Sequence, residues 1–103
     1  MAFTSIEVEE TKSAIAENAN AEDLFRLGLI YSTEIEDRGT DFVEAHKWFN
    51  LAAMMGSLPA KAYREEIKNE MKPHDLTLAQ KAARAWLVEY RSSLKSENVA
   101  IAA

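Results

Sequence analysis

Apolar residues recur from Leu24 at the three-and-four spacing of an amphipathic helix. Leu24, Leu27, Gly28 and Tyr31 fall at i, i+3, i+4 and i+7, so they share one face of a helix predicted from Ala21 to Ser32 or Thr33. Gly28 sits inside that stripe. Glycine in a helix costs about 1 kcal/mol relative to alanine, so its place there predicts another backbone passing close by. The pattern repeats with Ala45, Phe49, Ala52 and Ala53 in a helix predicted over 42–55, where three small residues leave room for a neighbour and Phe49 fills the gap. Residues 21–56 thus read as a helical hairpin.

Polar residues punctuate these stripes. Asn20 is placed to cap the first helix, with Glu22 and Asp23 where carboxylates meet the positive end of the helix dipole. Asp41 and Glu44 have the spacing of a capping box, and Gly56 stands where helices commonly end in a left-handed residue. A third helix is predicted from Ser57 or Leu58, with Pro59 in its first turn and Ala60, Tyr63, Ile67 and Met71 inward. Lys72-Pro73 ends it, because the residue before proline is pushed out of the α region. A fourth helix follows from Pro73, carrying Leu76, Ala79, Ala83, Trp86 and Tyr90 on one stripe and fading near Ser92 or Leu94. Upstream, Ile6, Ala14 and Ile15 permit a short lid helix between Ser5 and Glu17. The expected divisions are a 1–20 N-terminal segment, the 21–56 hairpin, a 57–92 helical pair that caps it, and a flexible 93–103 tail.

The hairpin positions Ala21, Leu24, Leu27, Gly28, Tyr31, Asp41, Phe42, Ala45, Trp48, Phe49, Ala52, Ala53 and Gly56 follow a pattern that resembles the Sel-1-like repeat, a relative of the tetratricopeptide repeat. Met71, Pro73, Leu76, Ala79, Gln80, Lys81, Ala83, Arg84 and Trp86 resemble the C-terminal extension of small bacterial Sel-1-like proteins. Between the hairpin helices the family usually has G-x-G-V-x-x-D. Here Glu34-Ile35-Glu36-Asp37-Arg38-Gly39-Thr40 precedes Asp41, one residue longer and without those two glycines. The resemblance implies a protein-interaction scaffold without chemistry of its own. Solenoid repeats normally need about three copies for a continuous core. One clear repeat with a degenerate second pair therefore implies an all-α domain of tetratricopeptide-like antiparallel hairpins, closed as a compact four- to five-helix fragment.

Composition narrows the function classes. The 103 residues include three glycines and two prolines, which favours an all-α domain with a modest core. Cysteine is absent, which excludes disulfides, thiolate metal sites and a cysteine nucleophile. The opening residues have neither a basic nor an apolar signal region, and no apolar run approaches the ~20 residues of a membrane span. A cytoplasmic protein without a membrane partner is the expectation. The net charge of −5 is uneven: residues 1–44 carry eleven acids against three bases, and residues 45–103 six acids against nine bases. An acidic half of this kind argues against nucleic acid as the main partner.

Candidate chemistry is sparse. His46 and His74 lack the spacing of a zinc motif, and no carboxylate pair, nucleophile elbow or phosphate loop is evident. Neither catalysis nor a metal or cofactor is expected. Trp48, Phe49, Trp86 and Tyr90 have the spacing of core residues rather than of a base-stacking platform. The off-stripe face of the first hairpin helix holds Glu22, Phe25, Leu29 and Ser32. One reading is a partner-binding site in which Phe25 and Leu29 anchor a peptide and Glu22 orients it; the other is that Ile6 and Ile15 fold over them. The terminal Glu97-Asn98-Val99-Ala100-Ile101-Ala102-Ala103 resembles the bacterial trans-translation tag. Ala102 and Ala103 are accordingly a candidate degradation signal, with a plain frayed tail as the alternative. The expected function is a non-catalytic module that binds a protein or peptide partner. The alternative is a self-associating subunit, a weak homo-oligomer in which acidic half meets basic half.

Overall fold

Three of the helices start where a side chain satisfies one of their free N–H groups. The computed structural model describes residues 5–33 and 39–102, with side chains placed for 6–33 and 39–94. Five helices follow in order: α1 (Ser5–Glu17), α2 (Ala21–Ser32), α3 (Phe42–Met54), α4 (Leu58–Lys68) and α5 (Pro73–Ala102). Asn20 caps α2 by accepting from the Asp23 N–H at 2.9 Å, Asp41 caps α3 by accepting from the Glu44 N–H at 3.1 Å, and Ser57 caps α4 by accepting from the Ala60 N–H at 3.2 Å. Gly56, at φ 103°, ends α3. There the Ser57 N–H reaches the Ala52 carbonyl and the Gly56 N–H the Ala53 carbonyl, the two bonds of a Schellman turn.

The capping box at Asp41 forms only in half. Its second bond would run from the Asp41 N–H to the Glu44 side chain, but that N–H donates to the Tyr31 carbonyl at 2.8 Å. The end of the inter-helix loop is thereby tied to α2. The Glu44 carboxylate instead accepts from the Trp48 indole at 2.9 Å and pairs with Lys47 at 3.6 Å. Residues 34–38, most of the loop that departs from the Sel-1-like pattern, lie outside the described residues.

The fold is all-α, and α3 is its centre, packed against α2, α4 and α5, while α1 lies on α2. One core cluster takes residues from every helix: Ile15 from α1, Leu24 and Leu27 from α2, Phe49 and Leu51 from α3, Ile67 from α4 and Ala83 from α5. Close approach at Gly28 is present, but its agent differs from expectation. A Cβ there would enter the ring of Phe49, so a buried side chain and not a backbone occupies the space. Two further differences concern α4 and α5. Tyr63, expected inward, is exposed on α4. The α5 backbone continues to Ala102, past the boundary near Ser92 or Leu94 and through the span expected as a tail. Residues 92–102 contain neither glycine nor proline, so nothing in them breaks a helix once it has started.

Candidate functional site

The free face of α2 is set by what its other flanks meet. Along one flank Arg26 pairs with Glu7 of α1 at 3.9 Å, and Lys12 of α1 lies 5.4 Å from the centre of the Tyr31 ring. Burial alone would lower the Lys12 pKa, but the Tyr31 side chain and the Glu44 and Glu9 carboxylates outweigh it, and the ammonium is held above its ordinary value. Along the opposite flank Phe25 meets Phe49 at 5.7 Å and Tyr63 of α4 at 5.6 Å between ring centres. Tyr63 in turn stacks on Phe49 at 5.4 Å.

The four residues singled out on α2 therefore separate. Glu22 is exposed. Phe25 and Leu29 are half-buried against the core. Ser32 is half-buried, with its hydroxyl donating to the Leu29 carbonyl at 2.9 Å. Ile6 is 69% exposed, whereas Ile15 is buried in the core. The aromatic side chain over Phe25 comes from α4.

Beside this cluster, Ser32, Phe42, Tyr63, Ile67, Glu66 and Glu70 line a cleft of about 240 Å³. The arrangement follows from α4, where Tyr63 and Glu66 stand at i and i+3 on one face, and from the turn just after its end, which carries Glu70. Two cations of the same helix point elsewhere. Arg64 donates to the Asn50 side chain at 3.0 Å and pairs with Glu65 at 3.1 Å, and Lys68 pairs with Glu65 at 3.9 Å. The Arg64 hydrogen bond holds the Glu65 carboxyl below its usual pKa. Glu66 and Glu70 make no ion pair among the described residues. Sequence spacing puts Tyr63 on the inward face of this helix and does not single out either glutamate. Their common spacing was the available signal.

His46 is buried on α3, and its Nδ1 has no hydrogen-bond partner. Desolvation by burial, reinforced by Arg64 and Lys68 and opposed by Glu65, lowers its pKa from the ordinary 6.5. His74 is exposed in the first turn of α5. Among the described residues no group of three His, Asp or Glu side chains is placed to hold a metal ion, and no helix is long and apolar enough to cross a membrane. Ala102 closes the α5 backbone with its side chain outside the described residues, as is Ala103. No protein-family model matches the chain, and comparison with curated proteins and with solved structures finds no match.

Proposed function

We propose that this protein is a non-catalytic, cytoplasmic interaction module of the Sel-1-like kind, which binds a segment of a partner protein along α2 and α4. One observation carries the reading. The cleft between these helices has the aromatic walls Phe42 and Tyr63 beside two adjacent carboxylates, Glu66 and Glu70, that no cation among the described residues neutralises. A segment that inserts an apolar residue beside Tyr63 and brings a lysine or arginine to the glutamates would bury apolar surface and relieve their mutual repulsion together. The Ser32 hydroxyl and Glu22 extend the polar edge along α2. Rigid helices keep the ordering cost on the scaffold side small, so the partner segment bears most of it.

The test is a peptide selection on the immobilised full-length protein, followed by an NMR titration with the selected sequences. Selected peptides should carry a basic residue next to an apolar one and shift the amides of Ser32, Tyr63, Glu66 and Glu70. A Glu66→Lys, Glu70→Lys variant should lose them while keeping its helical circular dichroism. Shifts confined to another face would overturn the assignment of the site.

A further inference from the structure

We propose that a second copy of this chain docks its α1 onto the outer face of α5. This does not rest on the groove between α2 and α4; it rests on two other stripes that match in charge, length and period.

The first stripe is on α1. Thr11 and Ile15 are buried, which turns Ile6, Glu10, Ser13 and Glu17 outward at i, i+4, i+7 and i+11, with Glu9 beside them. Every one of these is exposed. The single cation of α1, Lys12, is turned inward onto Tyr31, where of the outward acids only Glu9 interacts with it, so Glu10 and Glu17 keep the outward face acidic.

The second stripe is on α5. Ala79 and Ala83 face the core, which leaves Lys81, Arg84, Val88 and Arg91 exposed at i, i+3, i+7 and i+10. None of the three cations makes an ion pair among the described residues. Lys81, Arg84 and Val88, with Trp86 and Lys47 of α3, line an open cleft of about 760 Å³, much larger than the one between α2 and α4; Glu89 is the one acid on its wall, so the cations outnumber it three to one.

At a rise of about 1.5 Å per residue, Ile6 to Glu17 spans about 16 Å and Lys81 to Arg91 about 15 Å. Each stripe has one exposed aliphatic residue, Ile6 at 69% and Val88 at 60%, among charges of a single sign. Lys81 and Arg84, at i and i+3, repel within their own helix, and pairing with the acidic stripe sets attraction against that repulsion. A generic acidic helix would meet the same cations. The second copy is the occupant favoured here because the chain itself carries the complementary stripe, exposed on its own surface.

The experiment is sedimentation velocity on the full chain at low salt and near 1 M salt, where the screening length falls to about 3 Å. The wild type should self-associate with rising concentration at low salt and dissociate at high salt. A Lys81→Glu, Arg84→Glu variant and a Glu10→Lys, Glu17→Lys variant should each associate about tenfold or more weakly alone, because like-charged faces then meet. An equimolar mixture of the two should associate again, since the acidic α5 of one now meets the basic α1 of the other. All four substitutions are at exposed positions, and circular dichroism checks that the helices are kept. A wild type that stays monomeric at low salt overturns the proposal. So does association that survives 1 M salt or either reversal, or a mixture that does not re-form it.

Discussion

A methyl group added at Gly28 would enter the ring of Phe49, and that ring has little freedom to move. It is fully buried and bounded by Phe25 at 5.7 Å and Tyr63 at 5.4 Å. Helix propensity alone would make Gly28→Ala stabilising by about 1 kcal/mol. Overpacking a filled site costs about 1–3 kcal/mol, so the steric effect outweighs the propensity gain and a net loss of stability is expected in urea denaturation. The same substitution in a Phe49→Leu background should cost less, because the shorter side chain vacates part of the space. Equal losses in both backgrounds would place the penalty somewhere other than the ring.

Pairs of helices bring together groups that their own sequences do not reveal as neighbours. His46 on α3 faces the charges of α4, where Arg64 and Lys68 join burial in disfavouring its protonated form against the opposing Glu65. The folded state therefore binds this proton less readily than the unfolded chain. Stability from the neutral imidazole is fully present above about 6.5, the ordinary value, and is lost as pH falls from there through the lower pKa of the fold. Urea midpoints measured across this window should decline for the wild type and stay level for His46→Leu; parallel declines would assign the effect to other groups. Helix boundaries, by contrast, are written locally. Asn20, Asp41, Ser57, Gly56 and Pro59 each act on backbone groups within a few residues, and each stands where the sequence places it. The partners across helices are not written that way. Spacing put Gly28 and Phe49 on packing faces but did not show that they meet, and the apolar periodicity of Tyr63 hid its place at the rim beside Glu66 and Glu70. The continuation of α5 was missed for a related reason: the core stripe ends before the backbone does.

Two extremes of behaviour are open to a chain of stacked helices, and the core decides between them. In an extended solenoid each unit contacts only its neighbours, so an outer helix can unfold while the rest holds. Here α1 contributes Ile15 to the cluster that also contains Phe49 of α3 and Ala83 of α5, and the Ala19 N–H after α1 donates to the Tyr90 hydroxyl of α5 at 3.0 Å. That bond ties the α1–α2 junction to the middle of α5. The tryptophans give a local probe of the α3–α5 packing, since Trp48 and Trp86 meet edge to face at 5.8 Å and Trp86 stacks on Tyr90 at 5.0 Å. Circular dichroism reports all five helices at once. Ile15→Ala should cost about 2–5 kcal/mol, as removal of a buried isoleucine side chain does. Because the core is shared, it should shift the tryptophan transition and the helical transition by the same amount, keeping them coincident. If α1 were an independent lid, the dichroism would lose a fraction of its amplitude early and the tryptophan midpoint would stay where it was. Coincident shifts would mean that α1 unfolds together with the α3–α5 packing, through the core that it enters with Ile15 and against which its Val8 packs.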